Sequence, residues 1–214
     1  MINVAVGFDQ RQSVAFQVCA QSVWEKASLP VNIARLNLDV LPLTKRGLTQ
    51  FTYSRFLTPY LFDYKGWALF LDSDILARGD IAELPKGDAD LYFVLDERRR
   101  FEWPSVMWMN CEKLKCLTPD LITREKMFDQ KWIIDNQIRV EYLGKSWNHL
   151  VGYDAMNPNA KIVHFTQGIP IWPQTEKCDF AQEWWDCWKR MNSSVSFNEL
   201  MGPSVHIPYM KAVK

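Results

Sequence analysis

The chain has 214 residues, 48% of them hydrophobic, and its 25 lysines and arginines balance its 25 aspartates and glutamates. This length and composition fit a single domain with a full hydrophobic core. The balanced charge gives no general electrostatic surface for nucleic acid, so we expect no nucleic-acid partner. The sequence contains no N-terminal basic segment followed by an apolar stretch, no run of about 18 apolar residues, and no CxxC pair among its five cysteines. We therefore expect a cytoplasmic protein without a signal peptide, a spanning helix or a disulfide framework.

Strand and helix patterns alternate along the first half of the chain. Apolar residues at positions 2–8 predict a buried strand, and Ser13 begins a predicted helix that ends before Pro30. The pattern then predicts a strand at 31–38, a polar loop at 40–50, a helix at 52–62, a strand at 67–71, a short helix at 80–84 and a strand at 91–95. The second half is richer in aromatic residues and ends in a predicted helix near 180–191. This order predicts an α/β fold with a mostly parallel central sheet flanked by helices, and ligands at the carboxyl ends of its strands.

The strongest local motif is an apolar strand, Trp67 to Leu71, that ends in Asp72-Ser73-Asp74. A buried strand delivers these two carboxylates to the edge of the sheet, where they repel each other unless they share a cation. Oxygen ligands favour Mg²⁺ or Mn²⁺, which in turn bind the oxygens of a diphosphate. The residues after the first strand contain one glycine, Gly7, which excludes the dinucleotide fingerprint and the P-loop.

A second motif places a histidine at the end of an apolar strand. Ile162 and Val163 precede His164, and a loop with Gly168 follows. A lone histidine is more often structural, but one at a strand end beside the two carboxylates is a plausible third metal ligand.

Three ordered motifs carry a resemblance to a known family: TYSRF at 52–56, LFLDSD at 69–74 and KIVHFTQG at 161–168. They resemble glycosyltransferase family 8, the galactosyltransferase and glycogenin type, and in particular its compact bacterial and phage members. The resemblance extends over most of the chain. It implies one domain, 1–214, of the Rossmann-like GT-A type, with a nucleotide-sugar-binding half at 1–100 and an acceptor-side half with a C-terminal helix at 101–214.

The resemblance also implies a set of site residues. Asp72, Asp74 and His164 would bind Mn²⁺ (or Mg²⁺) together with the donor diphosphate. The segment with Phe8 and Asp9 would hold the nucleotide base, and Arg55 would reach donor groups. Asp72 would also lie near the ribose or donor sugar, and Ser73 beside it is a further predicted donor-binding residue. The segment with Ser105, Trp108 and Asn110 would line the donor sugar.

Two departures from the family pattern leave roles open. Pro170 stands where the family has a lysine that contacts the diphosphate, so another group must stabilise the leaving group: Arg55, Lys45, Arg11 or the amide of Gly168. The family's catalytic DQ motif is matched in letters by Asp129-Gln130, whereas Asp135 is better placed relative to Ser146-Trp147-Asn148.

The sequence therefore predicts a metal-dependent hexosyltransferase that moves a sugar from a nucleotide-sugar to a glycan or other hydroxyl acceptor. The resemblance favours UDP and retention at the anomeric carbon. Two alternatives are a haloacid-dehalogenase-like phosphatase that uses the two aspartates and a non-catalytic glycan-binding module, which the ten tryptophans would suit. The C-terminal helix presents Trp184, Trp185 and Trp188 on one face, which predicts core packing or, alternatively, peripheral contact with a membrane.

Overall fold

The computed structural model describes residues 1–95 and 100–192, except for the side chains of residues 100–102. The last part of the predicted acceptor-side half, residues 193–214, lies outside this description. The strands are β1 Ile2–Gly7, β2 Val31–Leu36, β3 Trp67–Leu71, β4 Ile75–Ala77, β5 Leu91–Phe93, β6 Val106–Asn110, β7 Val140–Tyr142, β8 His149–Leu150 and β9 Ile162–His164. The helices are α1 Ser13–Lys26, α2 Thr58–Leu61, α3 Pro119–Arg124, α4 Lys131–Asp135 and α5 Ala181–Met191.

The main sheet has six strands in the order β2-β1-β3-β6-β5-β7. Every neighbouring pair is parallel except the two that include β6, which runs antiparallel to both β3 and β5. Alternate residues of one strand enter different hydrophobic clusters: Leu69 and Leu71 pack on one face of the sheet, and Phe70 packs on the other. The sheet is therefore buried on both faces, as the near-continuous apolar strands predict. The predicted α/β fold with a mostly parallel central sheet is confirmed.

A smaller three-stranded sheet, in the order β4-β9-β8, lies beside the main one. Its first strand follows β3 after the three-residue segment Asp72-Ser73-Asp74. Strand β4 pairs antiparallel with β9, and this register sets Ile75 opposite His164. The two carboxylates therefore lie in the segment that connects the two sheets. The pairing of β4 with β9 brings His164, ninety positions after Asp74 in the sequence, next to this segment.

The helix predicted at 52–62 is shorter and less regular than its sequence pattern indicates. Residues Ser54–Leu57 form a 3-10 turn, and α2 begins at Thr58 with Pro59 in its first turn. Proline is tolerated at that place because the first N–H groups of a helix have no intrahelical acceptor.

The C-terminal helix α5 uses its tryptophans to pack against the core. Trp184 is fully buried, and Trp185 and Trp188 pack against the same cluster in a chain of edge-to-face rings at 5.1 and 5.5 Å. This arrangement agrees with the core-packing alternative, and nothing in it supports a membrane contact. None of the helices in the described ranges is long and apolar enough to span a membrane.

Candidate functional site

Strand β3 delivers Asp72 and Asp74 to the carboxyl edge of the main sheet. The backbone N–H of Asp72 donates to the carbonyl of Ser105 (2.9 Å), and the carbonyl of Asp74 accepts from the backbone N–H of Phe165 (2.9 Å). These bonds fasten the segment between the two aspartates to the residue before β6 on one side and to the residue after β9 on the other. Ser73, between the aspartates, is buried.

His164 completes a group of three side chains that could hold a metal ion, which we call the candidate metal-binding group. Its Nε2 lies 3.3 Å from Asp74 Oδ1. One ligand atom each from Asp72, Asp74 and His164 lie within 4.8 Å of one another. Asp72 and His164 are buried, whereas the Asp74 side chain is 27% exposed.

The geometry and chemistry of this group fit a divalent cation. Ligands bound at about 2.1 Å around an octahedral ion lie about 3–4 Å apart, so a small inward movement would satisfy the ion. A neutral imidazole beside two carboxylates suits Mn²⁺ better than Mg²⁺, because nitrogen is a softer ligand than oxygen. A ligand could approach the group from the side of Asp74, because Asp74 is its partly exposed member.

Arg55 lies beneath the metal-binding group and is itself buried. Its Nη1 is 3.1 Å from Asp72 Oδ1 and also donates to the carbonyl of Pro104 (3.1 Å), and its Nε donates to the carbonyl of Thr52 (3.1 Å). The guanidinium thus holds Asp72 in place. Within the described part of the chain its Nη2 makes no hydrogen bond, so this nitrogen remains available for the donor contact predicted from the sequence.

A cleft of about 240 Å³ opens over the metal-binding group. Its described lining includes the three residues of the metal-binding group and Arg55. The other described lining residues come from segment 48–52 and from the second half of the chain: Leu48, Thr49, Phe51, Thr52, Phe128 and Thr166. Apolar walls beside charged groups strengthen the electrostatic interactions inside such a cleft.

The predicted base-binding residues lie at the end of β1, but their side chains are occupied by the protein. Phe8 is 8% exposed and is covered by Phe16 (5.8 Å between ring centroids) and by the guanidinium of Arg35 (4.6 Å). The carboxylate of Asp9 accepts from Arg11 Nε (2.9 Å) and Nη2 (2.6 Å). This hydrogen bonding to Arg11 lowers the pKa of Asp9 to about 2. The Arg11 side chain itself is 71% exposed.

Of the residues predicted to line the donor sugar, Ser105 reaches the site and Asn110 does not. Strand β6 runs antiparallel to β3, and its register sets Val106 opposite Leu71 but Asn110 opposite Trp67. Asn110 is thus at the opposite end of the strands, about 17 Å along the strand direction from Asp72 at ~3.3 Å per residue. Trp108 lies between them in the core and donates from its indole to the carbonyl of Pro85.

Asn148 is a buried polar residue near the site that the sequence prediction used only as a landmark. It precedes β8, and its Nδ2 donates to Ser105 Oγ (2.9 Å). The backbone carbonyl of Ser105 in turn accepts from the backbone N–H of Asp72, so Asn148 connects the small sheet to the end of strand β3. The only signal for it in the sequence is a polar residue at the start of a short apolar strand.

Of the four groups predicted to replace the family's diphosphate-binding lysine, two already make hydrogen bonds within the fold. The amide of Gly168 donates to the carbonyl of Phe165 (2.8 Å), and Lys45 donates to the carbonyls of Ile122 and Glu125 at the end of α3. Both are therefore committed to the fold. The Lys45 bonds also fasten the polar loop predicted at 40–50 to the end of α3. Arg55 and Arg11 remain as cationic groups near the cleft.

The three predicted catalytic residues lie on the outer part of the second half. Asp129 is exposed and accepts from the backbone N–H of Lys131, while Gln130 has a left-handed backbone (φ 64°). Asp135 is exposed and pairs with Lys131. The described lining of the cleft includes their neighbour Phe128 but none of the three. Their catalytic role stays a prediction.

Comparison with known proteins adds one sequence relative and several structures. No protein-family model matches the chain. The protein CDI of Arabidopsis thaliana is 30% identical over 222 residues, covering 85% of this chain and 84% of that protein.

Three glycosyltransferases of known structure are similar in fold. GlyE of Streptococcus pneumoniae TIGR4 has a TM-score of 0.64 at 17% identity and covers 88% of this chain and 61% of its own. The galactosyltransferase LgtC, in complex with donor and acceptor sugar analogs, has a TM-score of 0.60 at 13% identity. The match covers 92% of this chain and 99% of the LgtC chain. The bifunctional glycosyltransferase WbbM has a TM-score of 0.63 at 16% identity. The match covers 87% of this chain but only 49% of the WbbM chain, so this chain spans about half the length of WbbM. At these identities the similarity shows a shared GT-A glycosyltransferase fold.

Proposed function

The chain belongs to the family of the Arabidopsis thaliana protein CDI, and from its GT-A fold and its metal-binding group we propose that it is a metal-dependent glycosyltransferase. It transfers a sugar from a nucleoside diphosphate sugar to a hydroxyl group of a glycan or another acceptor. On the resemblance of its sequence motifs, we assign the chain to glycosyltransferase family 8, among the compact bacterial and phage members. We take residues 1–214 as one catalytic domain. Its cytoplasmic location stays a prediction from the sequence.

The observation that carries the proposal is the position of Asp72, Asp74 and His164. They converge at the carboxyl ends of β3 and β9, at the bottom of a cleft large enough for a diphosphate. Ligands of open α/β sheets collect at this edge. A phosphatase of the haloacid-dehalogenase type would need the first aspartate as an exposed nucleophile, whereas Asp72 is buried and paired with Arg55.

The residues of the cleft have distinct parts in the proposed reaction. A bound Mn²⁺ would act as a Lewis acid that neutralises the charge on the leaving diphosphate. Asp72, Asp74 and His164 would hold the ion, and Arg55, which also lines the cleft, would fix the orientation of Asp72 and contact the donor. Phe51 and Phe128 exclude water, which protects the donor from hydrolysis. We retain UDP as the nucleotide and retention as the stereochemical outcome, both on the family resemblance.

A ligand-dependent stability measurement tests this function. UDP and Mn²⁺ together should raise Tm, by about 5–10 °C at a hundredfold excess over Kd, whereas UDP alone should not. A screen of UDP-, GDP- and CDP-sugars with Mn²⁺ should then show slow hydrolysis of one donor. Metal-dependent release of phosphate from a simple phosphomonoester, or stabilisation by glycans but by no nucleotide, would refute the proposal in favour of the phosphatase or the binding module.

A further inference from the structure

A second groove, of about 370 Å³, lies next to the metal cleft. Its described lining consists of Arg11, Gln12, Leu48, Thr49 and Trp172. Leu48 and Thr49 line the metal cleft as well, so the two spaces are neighbours separated by these two residues. The groove lies at the carboxyl end of β1, and β1 is the parallel neighbour of the metal-binding strand β3. Adjacent strands are about 4.8 Å apart, so a ligand that occupies both spaces would extend from the end of β3 to the end of β1.

Trp172 presents an exposed aromatic surface to this groove on a fixed backbone. The residue is 44% exposed. Its carbonyl accepts from the backbone N–H of Thr175 (2.9 Å), and the buried Thr175 hydroxyl donates to the carbonyl of Ile169 (2.8 Å). Gly168 leaves room for the indole, because a Cβ added there would lie 3.0 Å from Trp172 Cδ1. A rigid aromatic ring that remains in solvent is well suited to stack on a flat ligand.

Arg11 provides the polar side of the groove. Its Nε and Nη2 are held by Asp9, and Nη2 also donates to the carbonyl of Leu48 (3.1 Å). Its Nη1 makes no hydrogen bond in the described part of the chain, and the side chain is 71% exposed. The guanidinium is thus held in one orientation with a donor left over for a ligand. Gln12, beside it, adds an amide that can donate and accept.

The residues that the family resemblance assigns to the base lack these properties. Phe8 is covered on its ring by Phe16 and Arg35. Both carboxylate oxygens of Asp9 accept hydrogen bonds from Arg11, and one also accepts from the backbone N–H of Gln50. Neither side chain offers an open ring face or an unshared acceptor to a base.

We propose that this groove is the nucleobase subsite of the donor, with the base stacked on Trp172 and its polar edge meeting Arg11 and Gln12. The inference rests on the proposed function, since it assigns one part of the same donor. It places the base contact on the loop after His164 rather than on the side chains that end β1.

The test separates the base from the diphosphate. Mn²⁺-dependent binding of UDP and of pyrophosphate is measured by calorimetry for the wild type and for Trp172→Ala, Trp172→Phe and Trp24→Ala. Base–aromatic stacking lost by alanine substitution corresponds to a roughly 5- to 150-fold increase in the Kd for UDP. Trp172→Ala should show this increase for UDP and none for pyrophosphate, and Trp172→Phe should recover much of it. Trp24, an exposed tryptophan of α1, is the matched control and should change neither.

The outcomes distinguish this subsite from the function on which it rests. If the wild type binds both ligands and Trp172→Ala binds UDP as well as the wild type does, the subsite is wrong and the proposed function survives. If Trp172→Ala weakens UDP and pyrophosphate equally, Trp172 supports the metal cleft and the subsite is again wrong. If the wild type binds neither ligand in the presence of Mn²⁺, the proposed function fails, and the subsite fails with it.

Discussion

The ion pair between Arg55 and Asp72 gives a prediction that can be worked out from the structure. Both side chains are buried, at 9% and 11% exposed, and Nη1 is 3.1 Å from Oδ1. Arg55→Met removes one partner of this buried ion pair, and the loss of one partner of such a pair costs about 3–5 kcal/mol of folding free energy in the absence of metal. Arg55→Lys keeps the charge but loses the planar guanidinium that also bonds Thr52 and Pro104, so it should cost less.

Metal should compensate for the lost arginine. A divalent ion about 5 Å from a guanidinium is repelled by several kcal/mol even at an effective dielectric constant of 20. Mn²⁺ should therefore bind Arg55→Met more tightly than the wild type and reduce the difference in stability between them by about 1–3 kcal/mol.

Urea unfolding with and without saturating Mn²⁺ measures both effects. Arg124→Met is the matched control, because Arg124 is 73% exposed and its replacement should change stability by less than about 0.5 kcal/mol. A cost for Arg55→Met below about 1 kcal/mol, or one that Mn²⁺ leaves unchanged, would refute the view that Arg55 balances the charge of Asp72.

Three further predictions concern the site and its surroundings. Asp74→Ala should weaken Mn²⁺-dependent UDP binding at least about a hundredfold and leave Tm without ligand nearly unchanged, because Asp74 is partly exposed; undiminished metal dependence would contradict the ligand assignment. If His164 is a metal ligand, raising Mn²⁺ from limiting to saturating should move the acid limb of the pH–rate profile to lower pH, because metal and proton compete for the imidazole; a stationary limb would assign His164 to the acceptor. The bond to Arg11 lowers the pKa of Asp9 from 3.8 to about 2. Because the Arg11 side chain is 71% exposed and solvent screens the pair, Asp9 stabilises the fold by only about 1 kcal/mol above pH 4, and it loses this contribution as the pH falls towards 2. Asp9→Asn should therefore cost about that much at pH 7 and much less near pH 2, and an equal cost at both pH values in urea unfolding would disprove the linkage.

Local patterns in the sequence were sufficient for the fold class and for part of the site. The apolar run from Trp67 to Leu71 predicts a strand buried on both faces, and the residues that follow it must lie at the sheet edge. The same reasoning predicts that His164 ends a strand. Both inferences depend on neighbouring residues alone, because strand periodicity and apolar runs are short-range signals.

The direction and partner of each strand depend on contacts between distant residues, and no local pattern encodes them. Whether Ser105 or Asn110 joins Asp72 follows from the antiparallel direction of β6. Likewise, the register between β4 and β9 brings His164 to Asp74, and the folded loops bring Trp172 into one groove with Arg11.

The same distinction applies to charged side chains. The sequence predicts that Arg55 is near the donor, but a local pattern cannot tell a ligand contact from a buried ion pair with Asp72. That choice follows from burial, because a carboxylate removed from water must find a cation or lose its charge. The sequence therefore specified which residue types meet at the sheet edge, and long-range packing specified which of them hold one another and which remain open to a ligand.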